Sequence, residues 1–228
     1  MTAETKTKLL LRDAQWLAYE IVSWLQPGAR QIAVAGSIRR HKPLVGDIEI
    51  VAEPVLTVSR NLFGEETGHT SALDLIVEHH IAVGHWEYDP QVKRNSPKYK
   101  RLFVPSMNVA VDLFFVAARN WGNQLVIRTG SSDFGRLMLT ARALGGLMPP
   151  GLSHHDGYLY RRALDEHGAP AGAEEQLACL TEEQFFARLI GPGFMPHPTW
   201  RDAETAALMR RLTTEQLRAT GRDAPRER

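Results

Sequence analysis

Asp47-Ile48-Glu49-Ile50 alternates carboxylate and isoleucine, and Val51-Ala52 extends the run. With a side-chain period of two, such a strand puts Asp47, Glu49 and Val51 on one face and Ile48, Ile50 and Ala52 on the other. The aliphatic face needs a core to cover it. The other face carries two carboxylates within about 7 Å of each other. Buried beside apolar strands, they repel and raise each other's pKa unless a cation lies between them. Hard divalent cations such as Mg²⁺ prefer this oxygen-only setting. Taken alone, the acidic pair also reads as an edge strand with a solvated acidic face.

The surrounding pattern predicts where the strand belongs. Leu10, Ala14, Leu17, Ile21, Trp24 and Leu25 recur at helical spacing, and Gln26-Pro27-Gly28 stops them. Trp16 and Trp24 on this helix are expected in the core. A short strand, residues 32–35, runs into Gly36-Ser37. Residues 53–69 read as a loop, Leu73 to Ile81 as an amphipathic helix ending near Gly84, and residues 99–104 and 109–116 as two further strands. Ser131 and Ser132 are natural N-caps for a helix bearing Phe134, Leu137, Met138 and Ala141. Beyond Pro149-Pro150-Gly151 the expectations are a strand at 157–164, a helix opened by Thr181-Glu182-Glu183-Gln184, and a last helix over 208–217. A leading helix followed by strands mixed with helices predicts an α+β layer with a small C-terminal subdomain. The Pro149–Gly151 break divides the chain into 1–148 and 149–228.

Composition narrows the class of protein. An apolar content of 43% with a net charge of +1 is incompatible with disorder as the main state. No apolar run approaches the roughly 18–20 residues that span a bilayer. One cysteine, Cys179, excludes an internal disulfide framework and reads as a small core residue. No secretory signal is visible at the N-terminus, so a cytoplasmic protein is expected; its expected state is a monomer without membrane contact. Between Asp89 and Asp112 there is no acid, while Lys93, Arg94, Lys98, Lys100 and Arg101 fall in that window. This basic segment reads either as a solvated loop or as a track for a phosphate backbone.

Three features add to the acidic pair. Gly36-Ser37 ends a strand ten residues before it, where backbone N–H groups and a small hydroxyl can bond a phosphate, and arginines follow at Arg39 and Arg40. Asp112 lies in an apolar strand, where a charge needs a partner or a metal. Thr129-Gly130-Ser131 forms a tight turn at a helix start, where a ligand can approach the backbone closely.

In this order, Gly36-Ser37-Ile38-Arg39-Arg40, Gly46-Asp47-Ile48-Glu49, Val111-Asp112-Leu113 and Arg128-Thr129-Gly130-Ser131 resemble the DNA polymerase β family (family X) of the nucleotidyltransferase superfamily. The likeness runs over roughly residues 10–201. The tail joins it through His155-Asp156-Gly157-Tyr158-Leu159, the helix around Phe185-Phe186, and Pro198-Thr199-Trp200-Arg201. The fold it implies is a nucleotidyltransferase palm, a mixed or antiparallel sheet with flanking helices, plus a thumb-like C-terminal α+β subdomain. The implied function is addition of deoxynucleotides to a DNA 3′-hydroxyl, in gap-filling or repair.

On this resemblance Asp47, Glu49 and Asp112 are the catalytic and metal-binding residues, holding two Mg²⁺ ions for which Mn²⁺ could substitute. Gly36, Ser37 and Arg40 would bind the triphosphate. Arg128, Thr129 and Gly130 would contact the sugar, and Arg136 the base. Lys93, Arg94, Lys98, Lys100 and Arg101 would track primer or template DNA. The chain departs from the family pattern in several places. The acidic pair is Asp-x-Glu where Asp-x-Asp is usual. Ile127-Arg128 stands where an aromatic often crowds a ribose 2′-hydroxyl. Gly135 and Leu139 replace an asparagine and an arginine, leaving Arg136 and Arg142 for a displaced role. The few residues before the first helix leave no room for a lyase domain or helix-hairpin-helix clamps, which implies weak, salt-dependent DNA binding. Template-independent addition, an RNA or small-molecule acceptor, and a non-catalytic nucleic-acid-binding derivative are the alternatives. His79-His80, and His154-His155-Asp156 in an expected turn, read as surface, packing or loop residues. Trp200 reads as a closure of the C-terminal lobe.

Overall fold

The computed structural model describes residues 8–89 and 95–219. The chain forms two compact units, Met1–Ala117 and Ala118–Arg228. The Pro149–Gly151 break therefore falls inside the second unit. The reason is packing: Phe134 and Met138, before the break, share one core with Leu159, Phe185, Phe186 and Leu189 after it.

The first unit runs β1 (Leu9–Leu10), α1 (Leu11–Leu25), β2 (Ala29–Val34), α2 (Gly36–Arg39), β3 (Leu44–Val45), β4 (Asp47–Pro54), β5 (Leu56–Arg60), β6 (Glu66–Ser71), α3 (Ala72–Ala82), β7 (Glu87–Tyr88), β8 (Tyr99–Val104) and β9 (Val109–Phe115). Five strands form a mixed sheet in the order β2-β4-β9-β8-β7. Only the β4–β9 pair is parallel; β2–β4, β8–β9 and β7–β8 are antiparallel.

Residue parity decides what each face does. Ile48, Ile50 and Ala52 of β4 stand level with Val111, Leu113 and Phe115 of β9. They join Ala14, Leu17 and Ile21 of α1 and Leu73 and Val77 of α3 in one core. Burying a side chain of this size contributes about 1.5–3 kcal/mol, so the aliphatic face of β4 is held firmly inward. A one-residue slip would turn all three inward residues out and the acids in.

Trp16 departs from the sequence expectation. It lies on the outer side of α1, 61% exposed, while Trp24 is partly buried against the core. Apolar spacing alone does not separate the two, because Trp16 sits one position short of the buried Leu17 stripe. Residues 53–69 are likewise not a simple loop. Most of them form the hairpin of β5 and β6, whose turn is organised by Asn61: its Oδ1 accepts from the N–H groups of Phe63 (2.9 Å) and Glu65 (3.0 Å). Most of the hairpin's side chains are exposed or only partly buried, so it lacks the apolar alternation that marks a half-buried strand.

The second unit comprises α4 (Trp121–Thr129), α5 (Ser132–Leu139), β10 (Leu152–His155), β11 (Tyr158–Leu164), β12 (Pro170–Leu177), α6 (Glu182–Ile190) and α7 (Ala203–Ala219). The three strands make an antiparallel sheet in sequence order. His154-His155 therefore lie on a strand rather than in a turn. The turn is Asp156-Gly157, both at positive φ (53° and 87°), the two-residue geometry that Asp-Gly favours. The caps behave as expected: Ser131 Oγ accepts from Phe134 N, and Thr181 Oγ1 from Gln184 N, each at 3.2 Å. Cys179 is buried in this core.

Candidate active site

The acidic residues meet because of strand register. Glu49 of β4 stands directly beside Asp112 of β9, and Asp47 beside Ala110, two residues along the same face. Adjacent strands lie about 4.8 Å apart, so the three carboxylates named from the sequence share one patch of the sheet, opposite the aliphatic core. Arg101 of β8 stands beside Asp112 on its other side, and its guanidinium enters the same patch. Nη1 donates to Asp112 Oδ2 at 2.6 Å, Nε donates to Asp89 Oδ2 at 2.9 Å, and Nη1 lies 3.8 Å from Asp47 Oδ2. Tyr99 completes the grip on Asp112: its hydroxyl donates to Oδ1 at 2.6 Å.

Electrostatics follow from this arrangement. Burial by itself would push the Arg101 guanidinium down. The hydrogen bond and charge of Asp112, joined by Asp89, outweigh it and hold the group above arginine's ordinary value. Burial first, then the hydrogen bond to Asp112, pushes the Tyr99 phenol up to about 12. Arg101 is thus a fixed cation and Tyr99 a fixed donor at neutral pH. Tyr99, Asp89 and this role of Arg101 were not legible in the sequence, because the pairing of β8 with β9 is not encoded in any local pattern.

Gly36 opens α2 at the end of β2, with φ +60°. A Cβ built there would lie 1.9 Å from Glu49 Oε2, so only glycine lets this turn and that carboxylate coexist. Arg40 closes the same turn, its N–H bonded to Gly36 O at 3.1 Å. Ser37 Oγ is buried and has no hydrogen-bond partner among the described residues. A buried hydroxyl in that state costs free energy unless something else accepts it, which fits a phosphate-binding role.

The donor set suits Mg²⁺ in kind: carboxylate oxygens from Asp47, Glu49 and Asp112, with a cation already held among them. Among the described residues, no three His, Cys, Asp or Glu side chains stand as a ready-formed metal-binding group. Arg101 brings positive charge to Asp112 and Asp47.

The basic segment separates on inspection. Lys93 and Arg94 lie outside the described residues. Lys98 is exposed. Lys100 and Arg101 correct the expectation of a phosphate track, since both turn inward, on opposite faces of β8. Lys100 reaches Asp74 of α3 at 2.8 Å and lies 5.8 Å over the Phe115 ring. Strand alternation forces this, because one residue of a neighbouring pair on β8 must face the helices and the other the acids.

In the second unit, Thr129 is fully buried and Gly130 ends α4. Gly130 is not at positive φ; it is glycine because a Cβ would come within 2.6 Å of the Phe134 ring. Arg136 is exposed and lies 3.6 Å from Asp133. Arg142, expected to face a base or groove, is instead internal, its guanidinium bonded to the carbonyls of Leu147 and Leu189. Trp200 is exposed, and it is Arg201 that closes the lobe, fully buried against Glu182. Gly157 O accepts from Asn120 Nδ2, Asn123 Nδ2 and Gln124 Nε2 at 2.9, 3.0 and 2.9 Å, pinning the β10–β11 turn to α4. Helix α4 itself was missed from sequence, because its inward positions are amides as well as aliphatics.

A mixed sheet with helices covering one face and acids on the other, followed by a small α+β unit, is a polymerase β-like fold. Two solved structures of Leishmania infantum polymerase beta share it. The ternary P/T complex matches with a TM-score of 0.60 and 17% identity, over 86% of this chain and 77% of that one. The ternary gap complex matches with a TM-score of 0.61 and 17% identity, over 86% and 71%. At that identity the likeness is one of fold. No protein-family model matches the sequence, and no curated protein matches it. Among the described residues no helix is long and apolar enough to cross a membrane.

Proposed function

We propose that this chain is a divalent-metal-dependent nucleotidyltransferase that adds deoxynucleotides to a DNA 3′-hydroxyl, in a gap-filling role. The observation that carries this reading is the register placing Asp112 beside Glu49, with Asp47 on the same face, in a fold shared with polymerase complexes. Asp47, Glu49 and Asp112 are the residues that would hold Mg²⁺, or Mn²⁺ in its place. Metal bound there would neutralise triphosphate charge and ease ionisation of the attacking hydroxyl.

The chain's own groups do the rest. Ser37 Oγ and the backbone of the Gly36 turn are assigned to the leaving phosphates, with Arg40 adding charge. Asp112 is the acceptor for the 3′-hydroxyl proton as that oxygen bonds to the α-phosphorus and pyrophosphate departs. Tyr99 keeps its carboxylate from rotating away. Arg128, Thr129, Gly130 and Arg136 of the second unit are assigned to the nucleotide's sugar and base, and exposed Lys98 to a DNA phosphate.

The neighbours include a P/T complex and a gap complex, so both kinds of DNA are substrates to try, gapped DNA first because it tests the gap-filling role. In primer extension with gapped DNA, Mg²⁺ and all four deoxynucleoside triphosphates, the wild-type protein should extend the primer. Asp112→Ala should abolish extension while leaving DNA binding intact. Extension by that variant at the wild-type rate would refute the assignment of the site. Equal extension of unpaired single strands would remove the gap-filling role.

A further inference from the structure

We propose that Arg101 is the resident counter-cation of Asp112 and competes with divalent metal for its carboxylate. This rests on the nucleotidyltransferase reading and adds to it a residue that opposes metal binding.

The geometry carries the inference. Arg101 Nη1 is bonded to Asp112 Oδ2 at 2.6 Å and is only 3.8 Å from Asp47 Oδ2. One nitrogen thus stands on the side of Asp112 that faces Asp47, where a shared metal ion would have to lie. Tyr99 occupies the other oxygen of Asp112 at 2.6 Å. Two cations cannot occupy that side together without strong repulsion across a half-buried patch. Arg101 has another hold on the protein, the bond from its Nε to Asp89 at 2.9 Å, so its guanidinium can yield Asp112 without losing every partner. Lysine in its place would keep the charge. Glutamine would keep polarity and remove it.

The experiment compares Mn²⁺ binding to the full chain, without nucleotide, by electron paramagnetic resonance of free Mn²⁺. Arg101→Gln should bind Mn²⁺ about tenfold more tightly than wild type, about 1.4 kcal/mol, and Arg101→Lys should stay near the wild-type value. A purely structural arginine would give weaker binding on removal, since Asp112 would lose its alignment. Equal or weaker binding by Arg101→Gln therefore overturns the inference and leaves the nucleotidyltransferase reading standing. If neither protein binds Mn²⁺ at millimolar concentration, both fall. Should the glutamine variant fail to fold, the wild-type protein decides the matter. The Arg101 Nη nitrogen-15 resonances should shift and their protons exchange faster with solvent as Mg²⁺ is added, while the Nε–H bonded to Asp89 stays protected; unchanged Nη resonances at saturating Mg²⁺ reject the competition.

Discussion

Glu49 rests its carboxylate against the bare Cα of Gly36, so close that a methyl group there would lie 1.9 Å from Oε2. The Gly36 turn and the acidic strand are thereby in direct contact: any side chain at position 36 must displace the Glu49 carboxylate.

Gly36→Ala should therefore cost about 1–3 kcal/mol of stability, from the left-handed φ and the displaced carboxylate together. In a Glu49→Ala background the clash is gone, and the same substitution should cost only the backbone strain, about 1 kcal/mol. Urea denaturation of the four proteins of this double-mutant cycle measures the difference. Strict additivity would show that the contact does not exist.

Ser37→Ala separates function from stability. Because the hydroxyl is buried with no partner among the described residues, its removal should change stability by no more than about 0.5 kcal/mol, or stabilise slightly. The Michaelis constant for the deoxynucleoside triphosphate should rise about tenfold, for loss of one phosphate hydrogen bond worth roughly 1.4 kcal/mol. Denaturation and steady-state kinetics on one preparation test both halves.

Arg201 is the structural pin of the second unit. Its buried guanidinium donates to Glu182 at 2.5 and 3.2 Å and to Pro196 O at 3.1 Å, and lies 5.3 Å from the centre of the Phe186 ring. Glu182→Ala leaves that charge buried without its carboxylate and should cost about 3–5 kcal/mol. Arg201→Met replaces the charge by an apolar chain and should cost less. A thermal melt that ranks the two the other way would contradict this account.

His154 links the second unit to pH. Burial first, then the neighbouring charges of His155 and Arg128, pushes its imidazole from 6.5 down to about 4. The unfolded chain takes up a proton near pH 6.5 and the folded one only near 4, so this contribution is complete above 6.5 and lost as pH falls through that window. The loss amounts to roughly 3 kcal/mol at most. His154→Gln should flatten the stability profile between pH 6.5 and 4, measured by denaturant titration.

Much of this architecture was legible residue by residue. The alternation at Asp47–Ala52 predicted a strand with one acidic face, and Ser131 and Thr181 predicted the helix starts they cap. Local rules of period two and of end-capping carry that information. The Asp156-Gly157 turn was equally available, since that dipeptide with positive φ at both positions is a hairpin signal. Of the strands around it, β11 was expected from the sequence, while β10 and β12 were obscured by their polar residues. Helix α4 was hidden because amides fill inward positions, held by a carbonyl from a turn more than thirty residues away.

Local sequence, then, determined which residues bear charge and which face of each strand or helix they occupy, because backbone geometry converts spacing into direction. Only the tertiary structure decided who meets whom: that Asp112 lies between Glu49 and Arg101, and that of two adjacent cations one serves Asp74 and the other the acids. Strand order and register are set by burying the whole aliphatic face at once, a collective free energy that no short stretch of chain contains.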